Sequence, residues 1–182
     1  MGKRRRVLNL YQKATVSALK KVARSAEVLA NRLIRQEFRL LRAELDTQLS
    51  SRAVSVSKLT AKVSAAGPRL ALSKFPYQQQ SKGVKVTVKR GRGKVIRHSF
   101  VVKLPSGHVG VFIRRGEKRR MTQGSYKGKM RQPIMELRTI SVAEMFGAKR
   151  IQRLVTSHIK AKYPGVFQHE LEYYLSKAGY GN

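Results

Sequence analysis

The sequence predicts an α+β protein with a long N-terminal helical arm, a small antiparallel sheet (a meander), and C-terminal helices packed on the sheet. Three observations carry this. Apolar residues recur at helical spacing through residues 7–49. Val84, Val86 and Val88 alternate with Lys85, Thr87 and Lys89 ahead of a glycine-rich turn, and helical patterning resumes after Ser141.

In the first segment the stripe is Leu19, Val22, Ala26, Leu29 and Leu33, then Ile34, Phe38, Leu41, Leu45 and Leu49. Its one-position shift at Leu33/Ile34 predicts one bent helix or two helices with different packing faces. The short run and the lack of sustained charged heptads favour a core-packing arm over a coiled coil. Residues 50–57, rich in serine and without clear period, read as a linker, and Leu59, Ala61 and Val63 alternate as a half-buried strand. A segment at 70–75 stops at Pro76, and the polar run 77–83 reads as a loop.

Residues 84–88 form the first meander strand, and the glycines of Arg90-Gly91-Arg92-Gly93-Lys94 permit a tight reversal. Residues 95–104 read as the second strand, Pro105-Ser106-Gly107 as a corner and 109–113 as the third strand. The basic stretch 117–130 lacks apolar period and reads as a mobile loop. Pro133 then opens an edge strand through Leu137, Ser141 and Glu144 offer a capping box, and two helices follow at 141–162 and 165–178, divided at Pro164. The organisation expected is an arm at 1–50 and an α+β domain at 51–182 containing the basic loop 114–132.

Charge narrows the function. The 182 residues hold 40 Lys and Arg against nine Asp and Glu, a formal net charge of +31, and self-repulsion on this scale implies a polyanionic or acidic partner. No acid occurs between Asp46 and Glu117. With no cysteine there are no disulfides or thiolate ligands, in keeping with a reducing compartment. The basic N-terminus is not followed by an export-length apolar run, and no stretch approaches the ~20 apolar residues of a membrane helix, so a protein made in the cytoplasm is expected.

No catalytic or metal site is expected, and no cofactor. Gly91-Arg92-Gly93-Lys94 lacks the spacing and the hydroxyl of a phosphate loop, because Val95 follows the lysine. His98, His108, His158 and His169 form no i,i+4 pair, and no Gly-x-Ser-x-Gly elbow is present. What the chain does offer is cations. Arg90, Arg92, Lys94 and Arg97 on the hairpin, and Arg114, Arg115, Lys118, Arg119 and Arg120 beyond the third strand, are the expected contacts to DNA phosphates or to an acidic partner. Phe100, Phe112 and Tyr126 are too few among them to suggest single-strand stacking. An unpaired strand edge templates another chain, so Ile134, Glu136 and Leu137, with Phe38, Leu41 and Leu45 on the arm, are expected at an interface with another subunit or a partner protein.

The order of parts resembles a known group. The stretches "ALKKVARSAEVLANRLIRQEF", "LTAKVSAAGPRLALSKF", "HSFVVKLPSGHVGVFIRRG" and "QPIMELRTISVAEMF" look like the minor tail protein Z family of tailed phages and prophages. The most specific piece pairs "SGHVGVFIRRG" with "PIMELRTISVAEMF". Arg138-Thr139-Ile140 departs from the glycine-proline turn expected before the serine. The resemblance implies a non-enzymatic tail completion protein of the virion. It would join the head-proximal end of the tail as a homo-oligomeric ring, in six copies, against the tail terminator and head-tail connector and close to genome DNA. Charge alone would favour the alternative, a free-standing sequence-nonspecific nucleic-acid-binding protein, nucleoid-like or ribosomal.

Overall fold

The computed structural model describes residues 2–53, 59–124 and 126–180. In chain order its elements are helices α1 (Gly2–Glu37) and α2 (Arg42–Asp46), then strands β1 (Leu49–Ala53), β2 (Ala61–Ala65), β3 (Tyr77–Gln80), β4 (Gly83–Lys89), β5 (Arg92–Arg97), β6 (Ser99–Lys103), β7 (Val109–Arg114), β8 (Arg119–Arg120), β9 (Met130–Arg131) and β10 (Ile134–Glu136), and helices α3 (Val142–Phe146) and α4 (Lys149–Lys177). The α+β class with a long first helix, small antiparallel sheets and closing helices is observed. The chain divides into two compact units, Met1–Ile34 with Arg42–Gly67 and Val142–Asn182, and Arg35–Leu41 with Pro68–Ser141.

Helix α1 runs without glycine or proline from Lys3 to Glu37, and its residues as far as Ile34 belong to the first unit. Its buried stripe is Ala14, Ala18, Val22, Ala26, Ala30 and Ile34, while Leu19, Leu29 and Leu33 are only half-buried at the stripe's margins. Small side chains at i, i+4 intervals let a neighbouring backbone approach closely. The hydrophobic core adds Leu45, Leu49, Val142, Met145, Ile151 and Val155. The linker expected over 50–57 differs in its first part. Leu49–Ala53 is a strand paired antiparallel with Ala61–Ala65, and Ser51 donates its hydroxyl proton to the Glu27 carboxylate, which makes a serine-rich strand tenable. Residues 54–57 lie outside the described residues.

The division expected at Pro164 is absent, since α4 continues through it. Proline removes the donor for the Lys160 carbonyl, a defect of about 3 kcal/mol in a helix interior. Contacts on both sides offset it. Tyr163 stacks on Phe167 with ring centroids 5.9 Å apart, and Tyr11 of α1 lies 6.0 Å from the same ring. One turn on, Lys21 pairs with Glu170, whose side chain is buried. The hydrogen bond from Lys21, and a second from Ser17, hold the Glu170 carboxyl below its ordinary 4.5 against the opposing effect of burial. A carboxylate favoured in the fold stabilises above its unfolded pKa, and that stability is lost as pH falls through the folded value. Thermal melts should therefore show a stability loss below about pH 4.5 that is shallower in Glu170→Gln, and equal slopes would contradict this role.

The second unit holds two three-stranded antiparallel sheets, β3-β4-β5 and β10-β7-β6. Val84 and Val86 are buried and Lys85 and Lys89 exposed, as the alternation predicts. After α1 the chain runs beside β4, where the Arg39 N–H donates to Val88 O (2.9 Å) and Phe38 bridges Lys89. The polar run 77–83 was expected as a loop, yet Tyr77–Gln80 is a strand on β4. An edge strand open on both faces needs backbone pairing rather than an apolar pattern, and Pro76 sits at its entry, where a missing N–H is harmless.

The expected strand 95–104 is two strands in two sheets, separated by His98 at φ +59. One left-handed residue turns the chain from β5 into β6. That conformation costs a non-glycine residue about 1–2 kcal/mol, and histidine tolerates it better than a β-branched residue does. His98→Val should lower stability by about 1–2 kcal/mol and His98→Gly should leave it within about 0.5 kcal/mol. Denaturant titration decides, and equal stability of the two variants would sink the reading. Residues 138–140, the departure from the family pattern, are extended, with the Thr139 N–H on Leu70 O (2.8 Å) and Arg138 bridging Ala71.

Candidate nucleic-acid interface

The basic residues singled out by sequence fall on two features of the second unit. The first is the β4–β5 hairpin, reversed at Gly91 with φ +74. Arg90 lies in its turn, beside Gly91, and is engaged with the end of α1, its N–H on Glu37 O (2.9 Å) and its Nε on Arg35 O (2.8 Å). These bonds cap carbonyls at a helix C-terminus, so Arg90 is a structural cation. Lys89 beside it pairs with Glu37 at 3.3 Å. Arg92, Lys94 and Arg97 are exposed on β5. Register sets Lys94 opposite Val86 and Arg97 opposite Gly83, on opposite faces of the sheet, so the hairpin does not gather its cations on one side.

The second feature is residues 114–132, expected as a mobile loop but built as a hairpin tongue. The Arg115 N–H donates to Pro133 O (3.0 Å), Arg119 and Arg120 pair with Arg131 and Met130, and the Met121 N–H donates to Lys129 O (3.0 Å). Arg120 Nε donates to Gly128 O (3.2 Å), and the Arg131 guanidinium lies 3.6 Å from the Tyr126 ring centroid. No hydrophobic face marks this ladder, which is why periodicity misses it. Arg114, Arg115, Lys118, Arg119 and Arg120 are all exposed, and Arg114 also sits 5.4 Å from the Phe100 ring centroid. Among the described residues none of the five is paired with a carboxylate. Register places Arg119 directly opposite Arg131. Like charges opposite one another in a ladder are destabilising unless an anion lies between or beside them.

The residues expected at an interface do not share one surface. Phe38 and Leu45 are 3% and 0% exposed and belong to the cores of their own units, because each packs inside this chain, whereas Leu41 is 71% exposed. Ile134 is 42% exposed on the edge strand β10. Glu136 and Leu137 are half-buried, Leu137 donating its N–H to Val111 O (2.8 Å). Glu136 takes Arg138 at 3.1 Å and His108 at 2.6 Å, a clasp between β10 and the corner before β7 that sequence spacing does not reveal.

A serine, a histidine and a lysine do meet in the first unit. Ser25 Oγ lies 2.9 Å from His158 Nε2 and accepts from Lys162 Nζ at 2.8 Å. Ser25 sits in the middle of α1, where the surrounding N–H groups are spent on helix bonds, so no free pair of amides stands ready for an oxyanion. The triplet is a helix–helix cross-link. Among the described residues no three His, Asp or Glu side chains gather as a metal site, and no helix is long and apolar enough to cross a membrane.

An α+β chain of two compact units that presents cations without carboxylate partners among the described residues fits a structural protein better than a catalyst, and the family comparison gives the class as phage minor tail proteins. The model of the family described as prophage minor tail protein Z matches residues 4–178, and the chain belongs to that family. It is a structural protein of a phage tail and a virion component. No curated protein and no solved structure matches it.

Proposed function

We propose that the chain is a tail completion protein, seated at the head-proximal end of the tail as an oligomeric ring and required for head–tail joining, with its basic hairpin and tongue turned toward genome DNA or an acidic neighbour. The observation that carries this reading is the tongue, a hairpin whose only ladder sets Arg119 against Arg131 and whose exposed cations lack carboxylate partners among the described residues. A surface so arranged gains most when an external polyanion neutralises it. Family membership supports a tail, and a packaged genome is the polyanion nearest to one. The exposed edge strand β10 and Leu41 support contacts with further copies, a tail terminator and a connector.

The test is electron microscopy of particles assembled with and without this chain. Filled heads and separate tails are expected in its absence, with density for the chain at the upper end of the tail in its presence. Density at the distal tip, or recovery of the chain only on host nucleic acid, would overturn the proposal.

A further inference from the structure

The end of the β3-β4-β5 sheet, where the chain leaves β5 for β6, contains a cleft of about 640 Å³. Gln79, Lys82, Arg97, His98, Ser99 and Phe100 are on its walls. Its amide and its buried hydroxyl are already committed. Gln79 Nε2 donates to Gln80 O (3.0 Å) and Gly83 O (3.2 Å), while its Oε1 accepts the Val101 N–H at 2.9 Å. Ser99 Oγ donates to Ile96 O (2.6 Å) and accepts the Val84 N–H at 3.0 Å. These bonds fix the walls by tying β4 and β6 together. The rest of the lining is Ser81, Lys82, Gly83, Arg97, His98 and Phe100, which brings two permanent cations and no carboxylate.

Lysine and arginine carry donors and no acceptor, and with no carboxylate beside them the pair suits a phosphate oxyanion. The size is that of a site for a nucleotide rather than for a bare ion. His98 lies at φ +59, a backbone state that persists where surrounding structure imposes it and that clusters at ligand sites. Phe100 adds a half-buried aromatic wall next to the cations, with the Arg114 guanidinium 5.4 Å from its ring centroid. A phosphate carrying a base uses both the charge and the ring. A carboxylate uses only the charge. We propose that this cleft binds a phosphodiester of a nucleic-acid strand, with Lys82 and Arg97 on its oxygens and Phe100 beside the base. The proposal rests on the reading of the chain as a neighbour of nucleic acid, and it departs from the sequence pattern, in which three scattered aromatics suggest no stacking, because the fold sets Phe100 in the same cleft as Lys82 and Arg97.

The test is titration of the full-length protein with a fluorescent 12-nucleotide single strand. The proteins compared are the wild type, Lys82→Gln/Arg97→Gln, and the charge-matched control Lys13→Gln/Lys20→Gln, which lies on exposed α1 positions. Equal thermal midpoints establish that all three fold. The cleft variant should lose at least tenfold in affinity and the control less than threefold. Phe100→Leu should weaken binding of the single strand and leave an abasic strand of the same length unaffected. Equal losses in cleft variant and control would overturn the site. Polyglutamate binding as tightly as the strand, and lost equally in the cleft variant, would overturn the ligand in favour of an acidic protein. Localisation in the particle is read independently, so unchanged strand binding removes the cleft alone, whereas absence from tails removes the wider function.

Discussion

Reversing Arg114, Arg115, Arg119 and Arg120 to glutamate is expected to leave a folded protein that no longer supports head–tail joining. The four changes move the net charge from +31 to +23, each position shifting by two. All four side chains are exposed, so no core contact is lost. Arg119→Glu turns a like-charge pair with Arg131 into an opposite-charge one, worth about 0.2–1 kcal/mol, which offsets the loss of the Arg120–Gly128 bond and the Arg114–Phe100 contact. Binding to DNA should fall, with the salt slope shrinking by about one for each phosphate contact removed, hence by about four. Joined particles counted by microscopy, beside thermal melts of the purified variant, separate function from folding. Normal joining by a folded variant would refute the assigned role of these arginines.

Gly83→Ala is expected to be the most damaging small substitution in the second unit, costing on the order of 3–5 kcal/mol. A Cβ at this position would stand 2.0 Å from the Ile96 carbonyl oxygen, 2.9 Å from its carbon and 3.1 Å from Arg97 Cα. Those are backbone atoms of the paired strand β5, so relief requires breaking the ladder, and φ +146 is itself strained for any L side chain. Gly93→Ala is the matched comparison. Its Cβ would meet the flexible end of Lys85 at 2.9 Å and Thr87 Oγ1 at 3.1 Å, and a loss below about 1 kcal/mol is expected. Urea titrations of both variants check this. A Gly83→Ala protein within about 1 kcal/mol of wild type would mean that β4 and β5 separate at little cost.

Sequence legibility followed the elements whose side chains alternate in polarity. Val84 and Val86 announce β4 because one face of it is buried, and the continuous apolar run from Val109 to Ile113 announces β7, a central strand buried on both faces at Gly110, Val111 and Phe112. Pro133 and the short run after it are legible as an edge strand. Where burial falls on small or polar residues the pattern fails. The centre of the α1 stripe is alanine, which ranks below leucine on any hydropathy weighting although Ala14, Ala18, Ala26 and Ala30 are the buried positions. Strand β3 carries three glutamines because it needs backbone pairing and, at Gln79, an amide to bond Gly83 and Val101, but no apolar face. Pro164 reads as a helix end, since its support comes from Tyr11, more than a hundred residues away.

The candidate site shows the same limit. Chemistry identified the cations, but pairing decided their neighbours. Arg90 is occupied by α1 and Lys94 is turned away from Arg97, neither of which spacing can tell. Lys82 escaped notice in a polar run read as a loop, and only the turn between β3 and β4 brings it to Arg97 and His98. Ser25, His158 and Lys162 are likewise assembled by helix packing across the length of the chain.

The single residue between β5 and β6 also has a mechanical meaning. A joint of that length has no slack, so the hairpin and the strand beyond it are linked in series: His98 hands the chain to β6, β6 is zipped to β7, and β7 ends at Arg114, the root of the tongue. A displacement of one basic region is thereby passed to the other through paired backbone, with no loop in between to absorb it.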